Sequence, residues 1–193
     1  MTRTPADVPL PGAAQLRRLR SDELSVDEIA MIRTVMTVAF GDDEEERFED
    51  TDWEHALGGT HVVLDLDGEI VAHAAVVERE LHVAGRPIRT GYVEAVATAS
   101  DRQGRGHGTR VMADVGAIIA DHYELGALGT GRHRFYERLG WRTWRGPLFV
   151  RTADGDRRTP DEDGYLLVLT TPTTPLLDLD DPISCEWRTG DVW

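Results

Sequence analysis

The stretch Thr98-Ala-Ser-Asp-Arg-Gln-Gly-Arg-Gly-His-Gly-Thr-Arg-Val-Met112 decides how this chain folds. Strand-forming residues run up to Thr98. Beyond Thr109, Val111, Met112, Val115, Ile118 and Ile119 form one apolar stripe at helical spacing, predicting a helix over Thr109–Tyr123. Between them lies Gln103-x-x-Gly106-x-Gly108, with a further glycine at Gly104. Glycines let backbone adopt positive φ and approach a ligand closely. The first amides of a helix have no intrahelical partner, and its dipole favours anions there. Strand, glycine loop and helix start therefore predict a pyrophosphate cradle. The plain alternative is a glycine-rich connector without a ligand, and the flanking strand and helix argue against it.

Two other phosphate motifs are excluded. A Walker loop needs Gly-Lys-Ser/Thr, which occurs nowhere in the chain. A dinucleotide fingerprint belongs in the first strand–helix unit, whereas this loop lies mid-chain and carries Arg102, Arg105 and Arg110.

Working outward, residues 1–14 read as a mobile leader, and residues 15–193 as one domain that includes a docked tail, 171–193. Gln15–Arg20 reads as a strand. Ser25 and Glu28 form a capping box ahead of a helix over Val26–Phe40. Residues 42–50 form an acidic loop, and Asp52–Leu57 a short helix stopped by Gly58 and Gly59. Asp67-Gly68 predicts a two-residue hairpin between His61–Leu66 and Glu69–Val77. Residues 70–77 are apolar at nearly every position, as in a strand covered on both faces. The chain turns again at Ala84–Pro87 and returns as Ile88–Thr98. Further elements are a strand at Leu125–Leu128, a helix at Gly131–Leu139, and strands near Trp141–Trp144, Leu148–Arg151 and Tyr165–Thr170. Residues 152–163 read as a polar loop. Alternation places Tyr92, Glu94, Val96 and Thr98 on one face of their strand.

A net charge of −14 excludes nonspecific binding to nucleic acid or anionic membranes and favours a cationic partner. Cys185 is the single cysteine, so there is no intrachain disulfide and no cysteine-based metal site. No metal constellation is visible, nor an apolar run long enough to span a membrane. A soluble cytoplasmic protein is expected.

Gln/Arg-x-x-Gly-x-Gly/Ala between strand and helix resembles the coenzyme A loop of the Gcn5-related N-acetyltransferases. The element order also resembles their α/β fold: a mixed, mostly antiparallel central sheet flanked by helices. A narrower resemblance is to the aminoglycoside 2′-N-acetyltransferases. It rests on Thr51–Gly59, Gly91-Tyr-Val-Glu-Ala95, Leu125–Leu128, Gly140-Trp141, Thr159–Gly164 and the ending Cys185-Glu-Trp-Arg-Thr-Gly-Asp-Val-Trp193. The acidic loop after Phe40 looks longer than the family's usual connection, and Gly129–Arg134 looks shorter than its serine-rich form.

The resemblance implies acetyl coenzyme A as cosubstrate and a polycationic aminoglycoside as acceptor. Cosubstrate contacts then fall on Val96, Ala97, Thr98, Gln103, Gly104, Arg105, Gly106, His107 and Gly108. Acceptor contacts fall on Asp42 or Asp43, Glu94, Ala95, Gly129, Asp161 or Glu162, Asp191, and Trp193 with its carboxylate. Acetyl transfer needs a neutral amine, a polarised thioester and a proton for the thiolate. Glu94 is the candidate base, acting directly or through water, the bland alternative being a pair with Arg89. Tyr136 is the candidate acid, with Tyr123 as the other phenol, His107 and His133 as alternative acid–base groups, and core packing beside Phe135 as Tyr136's structural reading. A homodimer is expected. Two further readings stay open: acetylation of another amine (a kasugamycin-like aminosugar, a polyamine, a metabolite), or a non-catalytic coenzyme A sensor.

Overall fold

A computed structural model describes residues 14–41 and 47–193. The predicted leader, apart from Ala14, and the candidate contacts Asp42 and Asp43 lie outside them.

The described residues run through β1 (Gln15–Arg20), α1 (Val26–Phe40), α2 (Asp50–Ala56), β2 (Thr60–Leu66), β3 (Glu69–Val83) and β4 (Arg86–Thr98). They continue through α3 (His107–His122), β5 (Leu125–Gly129), α4 (His133–Glu137), β6 (Arg142–Thr143), β7 (Leu148–Thr152), β8 (Gly155–Arg158), β9 (Leu166–Thr170) and β10 (Ile183–Glu186). The box ahead of α1 forms in both directions. Glu28 N–H donates to Ser25 Oγ at 3.2 Å, and Ser25 N–H donates to Glu28 Oε2 at 2.9 Å. Helix α3 starts two residues before the predicted Thr109, because Gly106 already accepts its first turn.

The sheet runs β6-β9-β5-β4-β3-β10-β7-β8, with β2 on β3 and β1 on β2. β3 is long enough to serve two neighbours on one edge: β2 pairs with Glu69–Val76, and β10 with His82–Val83. The tail is thus more than a docked segment. Its β10 also runs parallel to β7, from Ile183 opposite Leu148 to Glu186 opposite Arg151. The predicted polar loop 152–163 likewise holds a strand, β8, folded back on β7.

One sheet face packs against α3 and α4, through Val111, Met112, Val115, Ile119 and Tyr136. The other face carries two cores. One packs α1 and α2 around Ile32, Met36 and Trp53, and the other gathers Tyr92, Trp144, Ile183 and Trp193 where the tail folds over the sheet. At about 25 cal/mol per Å² of apolar surface, each such large side chain stabilises the fold by roughly 1.5–3 kcal/mol.

β4 departs from plain alternation. Opposite Ala74 of β3 it places two residues, Ala95 and Val96, between the pairs His73–Ala97 and Ala75–Glu94. Such a bulge moves following residues to the other face. Tyr92 and Glu94 therefore share the face of Ala75 and Val77, while Val96 packs into the α3 core. The single face predicted for Tyr92, Glu94, Val96 and Thr98 is corrected accordingly.

Candidate active site

β4 and β5 run parallel from Thr90 opposite Leu125 to Tyr92 opposite Ala127, and pair no further. A cavity of about 680 Å³ opens where they part. Its walls are Val96, Ala97 and Thr98 of β4, the loop and helix start Gln103–Thr109 apart from Arg105, and Phe135, Tyr136 and Leu139 beyond β5, with Arg102, Arg132 and Arg138 also on it. Strand separation supplies backbone groups that no neighbouring strand claims on that edge.

The loop geometry explains its glycines. Gly104 and Gly106 stand at φ +73° and +85°, where an L side chain is strained, and a Cβ on either would meet nothing within 4 Å. Gly108 serves a close approach instead, since its Cβ would lie 3.0 Å from Thr98 Oγ1. Gln103 Nε2 donates to Thr98 O at 3.2 Å, tying the loop to the strand end. The first turn of α3 has neither a side-chain cap nor an acidic residue. Its amides and the positive end of its dipole are left for an anion, so the residues fit the diphosphate of coenzyme A. His107 lines the cavity and Arg105 is exposed on the loop.

Glu94 lies just before the bulge. Its Oε1 accepts from Arg188 NH1 at 2.7 Å, and only 15% of its side chain is exposed. Burial raises its pKa, with Arg188, Arg79 and His55 pulling the other way. The pairing with Arg89 does not form, since Arg89 binds Glu78 and the carbonyl of His122. Arg188 was not among the predicted site residues, although it is the one cation in the Cys185–Trp193 stretch. It also donates to Asp191 O at 2.6 Å and lies 5.7 Å from the Tyr92 ring centre.

Tyr136 lines the cavity from α4, edge-on to Phe135 and Trp141. Burial pushes its phenol up to about 12, while Arg132 pulls it down. At neutral pH it therefore keeps its proton. Tyr123, at the other end of α3, packs on Gly91 beneath Arg89 and does not line the cavity. His133 opens α4 and does not line it either.

The remaining candidates gather at the tail. Trp193 is buried, its Nε1 donating to Thr159 Oγ1 at 3.0 Å. Gly129 lies beside it, for a Cβ there would sit 3.4 Å from Trp193 O and 3.6 Å from Tyr92 Oη. Asp161 and Glu162 occupy a short turn nearby. Burial raises the Glu162 pKa, as do the charges of Asp191 and Asp161, so the three carboxylates sense one another. Among the described residues, no cluster of His, Cys, Asp and Glu is arranged to hold a metal ion, and no helix is long and apolar enough to cross a membrane.

Comparison with known proteins agrees with this architecture. The chain is 41% identical over 182 residues to an aminoglycoside 2′-N-acetyltransferase of Mycolicibacterium fortuitum, covering 92% of this chain and 91% of that one. A GNAT family acetyltransferase from Brucella melitensis, solved in complex with acetyl-CoA, superposes with a TM-score of 0.58 at 18% identity, over 86% of this chain and 94% of that one. A GCN5-related N-acetyltransferase from Kribbella flavida superposes at 0.56 with 21% identity over 69% of this chain, which spans only 34% of that longer protein. Residues 17–144 match the family described as acetyltransferase (GNAT) domain. With a parted β4–β5 pair, a glycine cradle at the head of α3 and this match over most of its length, the chain belongs to the GNAT acetyltransferases.

Proposed function

We propose that the protein transfers the acetyl group of acetyl coenzyme A to the 2′-amine of an aminoglycoside, giving resistance. The observation that carries the reading is the uncapped, glycine-lined head of α3 facing the gap between β4 and β5. Similarity to the Mycolicibacterium enzyme supports the choice of acceptor.

Amides at Gln103–Gly108 hold the diphosphate, and the bulged edge Val96–Thr98 holds the pantetheine arm and polarises the thioester carbonyl. Glu94 accepts a proton from the attacking amine, directly or through water. Its raised pKa suits that task, because a more basic carboxylate removes a proton more readily. The amine nitrogen bonds to the acyl carbon as the carbon–sulfur bond breaks, and Tyr136 donates its phenolic proton to the departing sulfur. Glu94 then returns its proton to solvent, and Tyr136 regains one. Asp161, Glu162 and Asp191, with Gly129, Ala95 and Trp193, form the wall that receives the other ammonium groups. The product is a neutral amide, which removes a cation the drug uses against RNA phosphate. The proposed state is a cytoplasmic homodimer.

A mass-spectrometric acetylation assay over paired 2′-amino and 2′-hydroxy aminoglycosides tests the reading. Product from the 2′-amino members alone supports it. Activity on polyamines alone would replace the acceptor, and none on any amine would replace catalysis with coenzyme A sensing.

A further inference from the structure

Behind the bulge runs a buried hydrogen-bonded chain that the chemistry above does not use. His73 Nδ1 lies 2.7 Å from Ala95 O, His73 Nε2 lies 2.9 Å from His61 Nδ1, and His61 Nε2 lies 2.9 Å from Ser21 Oγ. Both imidazoles are fully buried, and the Trp53 ring leans over the two of them. The direction of the chain follows from its ends. A carbonyl only accepts, so His73 Nδ1 carries the proton and His73 Nε2 accepts. His61 Nδ1 then donates, and His61 Nε2 accepts from the Ser21 hydroxyl, for which it is nearer, at 2.9 Å, than the other acceptor, Gly59 O, at 3.3 Å; Ser21 Oγ itself accepts from Gly58 N–H at 2.9 Å. Every polar atom of both rings is satisfied in one tautomeric arrangement. Burial depresses the pKa of His61 to about 4 and of His73 to about 3, so both are neutral near pH 7.

The chain ends on a strained residue. Ala95 has φ +52°, a left-handed conformation that strains any residue with a Cβ. Such a backbone persists only where its surroundings over-determine it. Here the neutral His73 N–H fixes the Ala95 carbonyl on the α1–α2 side of the sheet. In a trans peptide the C=O and the following N–H point in opposite directions, and the chain has no cis peptide among the described residues. Pinning Ala95 O therefore aims Val96 N–H toward the α3–α4 side, where Val96 lines the cavity.

We propose that His73, backed by His61 and Ser21, is a positioning residue that aims the Val96 amide at the thioester carbonyl. The inference rests on the reading of Val96 N–H as the donor to that carbonyl. His73 touches no reacting atom; it acts by fixing one peptide plane. A hydrogen-bond donor of this kind contributes only if it points at the position of the developing oxyanion.

The test compares two amides of similar size. His73→Asn places a donor near the Nδ1 position and keeps the bond to Ala95 O. His73→Gln reaches the Nε2 position and leaves that carbonyl unpaired. The readout is the thioester carbonyl stretch of ¹³C-labelled acetyl coenzyme A bound to each protein, by difference infrared spectroscopy, together with steady-state kinetics. In the wild type and His73→Asn the band is expected well below its position in water. In His73→Gln it returns at least halfway, and kcat falls about tenfold, a fraction of the loss when a whole oxyanion donor is removed. KM for the acceptor stays within about threefold of wild type in both. Equal bands in the two variants, or an unshifted band in the wild type with acetyl coenzyme A bound, would overturn the inference while leaving the proposed reaction standing. Failure to bind acetyl coenzyme A at all would overturn both. If neither variant folds, Ser21→Ala at the half-buried end of the chain decides. A smaller band displacement in the same direction supports the inference, and an unmoved band refutes it.

Discussion

Gly106→Val addresses the cradle with little risk of a packing clash. Gly106 has φ +85° and ψ 1°, and a Cβ built there meets no heavy atom within 4 Å. The substitution therefore acts through backbone conformation alone. Left-handed backbone costs an L-residue about 1–2 kcal/mol, and a β-branched residue sits at the upper end. Two outcomes compete for that energy. If the loop keeps its shape, stability falls by about 2 kcal/mol and Tm drops by about 4–8 °C for a chain of this size. If φ rotates to relieve the strain, the amides at the head of α3 turn away from a common point and anion binding suffers. We expect the second to dominate. Calorimetric affinity for coenzyme A should fall at least about tenfold, equivalent to about 1.4 kcal/mol, with a smaller change in Tm. Gly116→Ala is the control. It lies inside α3, its Cβ would make an ordinary 3.7 Å contact with Leu169, and it should raise stability by about 0.5–1 kcal/mol without altering affinity. Undiminished affinity in Gly106→Val would refute the cradle, whatever happened to Tm.

Four further outcomes are expected. Glu94→Gln should depress turnover most at low pH and least at alkaline pH, where the amine loses its proton unaided; a constant ratio to wild type across pH would dismiss the base. In Arg188→Gln, Glu94 loses the strongest influence holding its pKa down, so the acidic limb of the kcat/KM profile should move to higher pH, and an unmoved limb would separate Arg188 from the chemistry. Asp191→Asn combined with Glu162→Gln should raise KM for a polyamine acceptor far more than KM for acetyl coenzyme A, and equal effects would make the tail carboxylates purely structural. The buried imidazoles also give stability a pH dependence. Their folded pKa values, about 4 and about 3, lie below the unfolded value of 6.5, so the unfolded state binds more protons below pH 6.5. Stability should then fall with pH from 6.5 downward, each imidazole adding up to about 1.4 kcal/mol per unit, while the raised Glu94 and Glu162 act in the opposite sense. Chemical denaturation at pH 7 and pH 5 should show a shallower loss for His73→Asn than for wild type, and identical losses would contradict the burial of a neutral His73.

Much of the fold was legible because it is locally encoded. The Ser25–Glu28 box and the spacing of Ile32, Val35 and Met36 mark α1 at the residues it occupies. Asp67-Gly68 marks the β2–β3 hairpin through the positive φ that both residues adopt. The glycine loop was legible for the same reason, since Gly104 and Gly106 stand at positive φ and Gly108 at a close approach to Thr98. What escaped is non-local. β10 is four residues in a proline-punctuated tail, and nothing near Ile183 says that β3 has edge to spare at His82–Val83. The Ala95 bulge uses an alanine where a glycine would have signalled left-handed backbone, so period-two counting carried Val96 to the wrong face. Arg188 and Glu94 are 94 residues apart and meet only because the tail folds over the sheet. His61 and His73 read as ordinary strand residues, since their value lies in a register that pairs Val62 with Ala74.

A crystal structure of the protein grown with acetyl coenzyme A examines the central claim most directly. The account predicts the diphosphate within hydrogen-bonding distance of the amides of residues 103–108, and the acetyl carbonyl at Val96 N–H with Tyr136 beside the sulfur. A cosubstrate bound away from the head of α3 would contradict it.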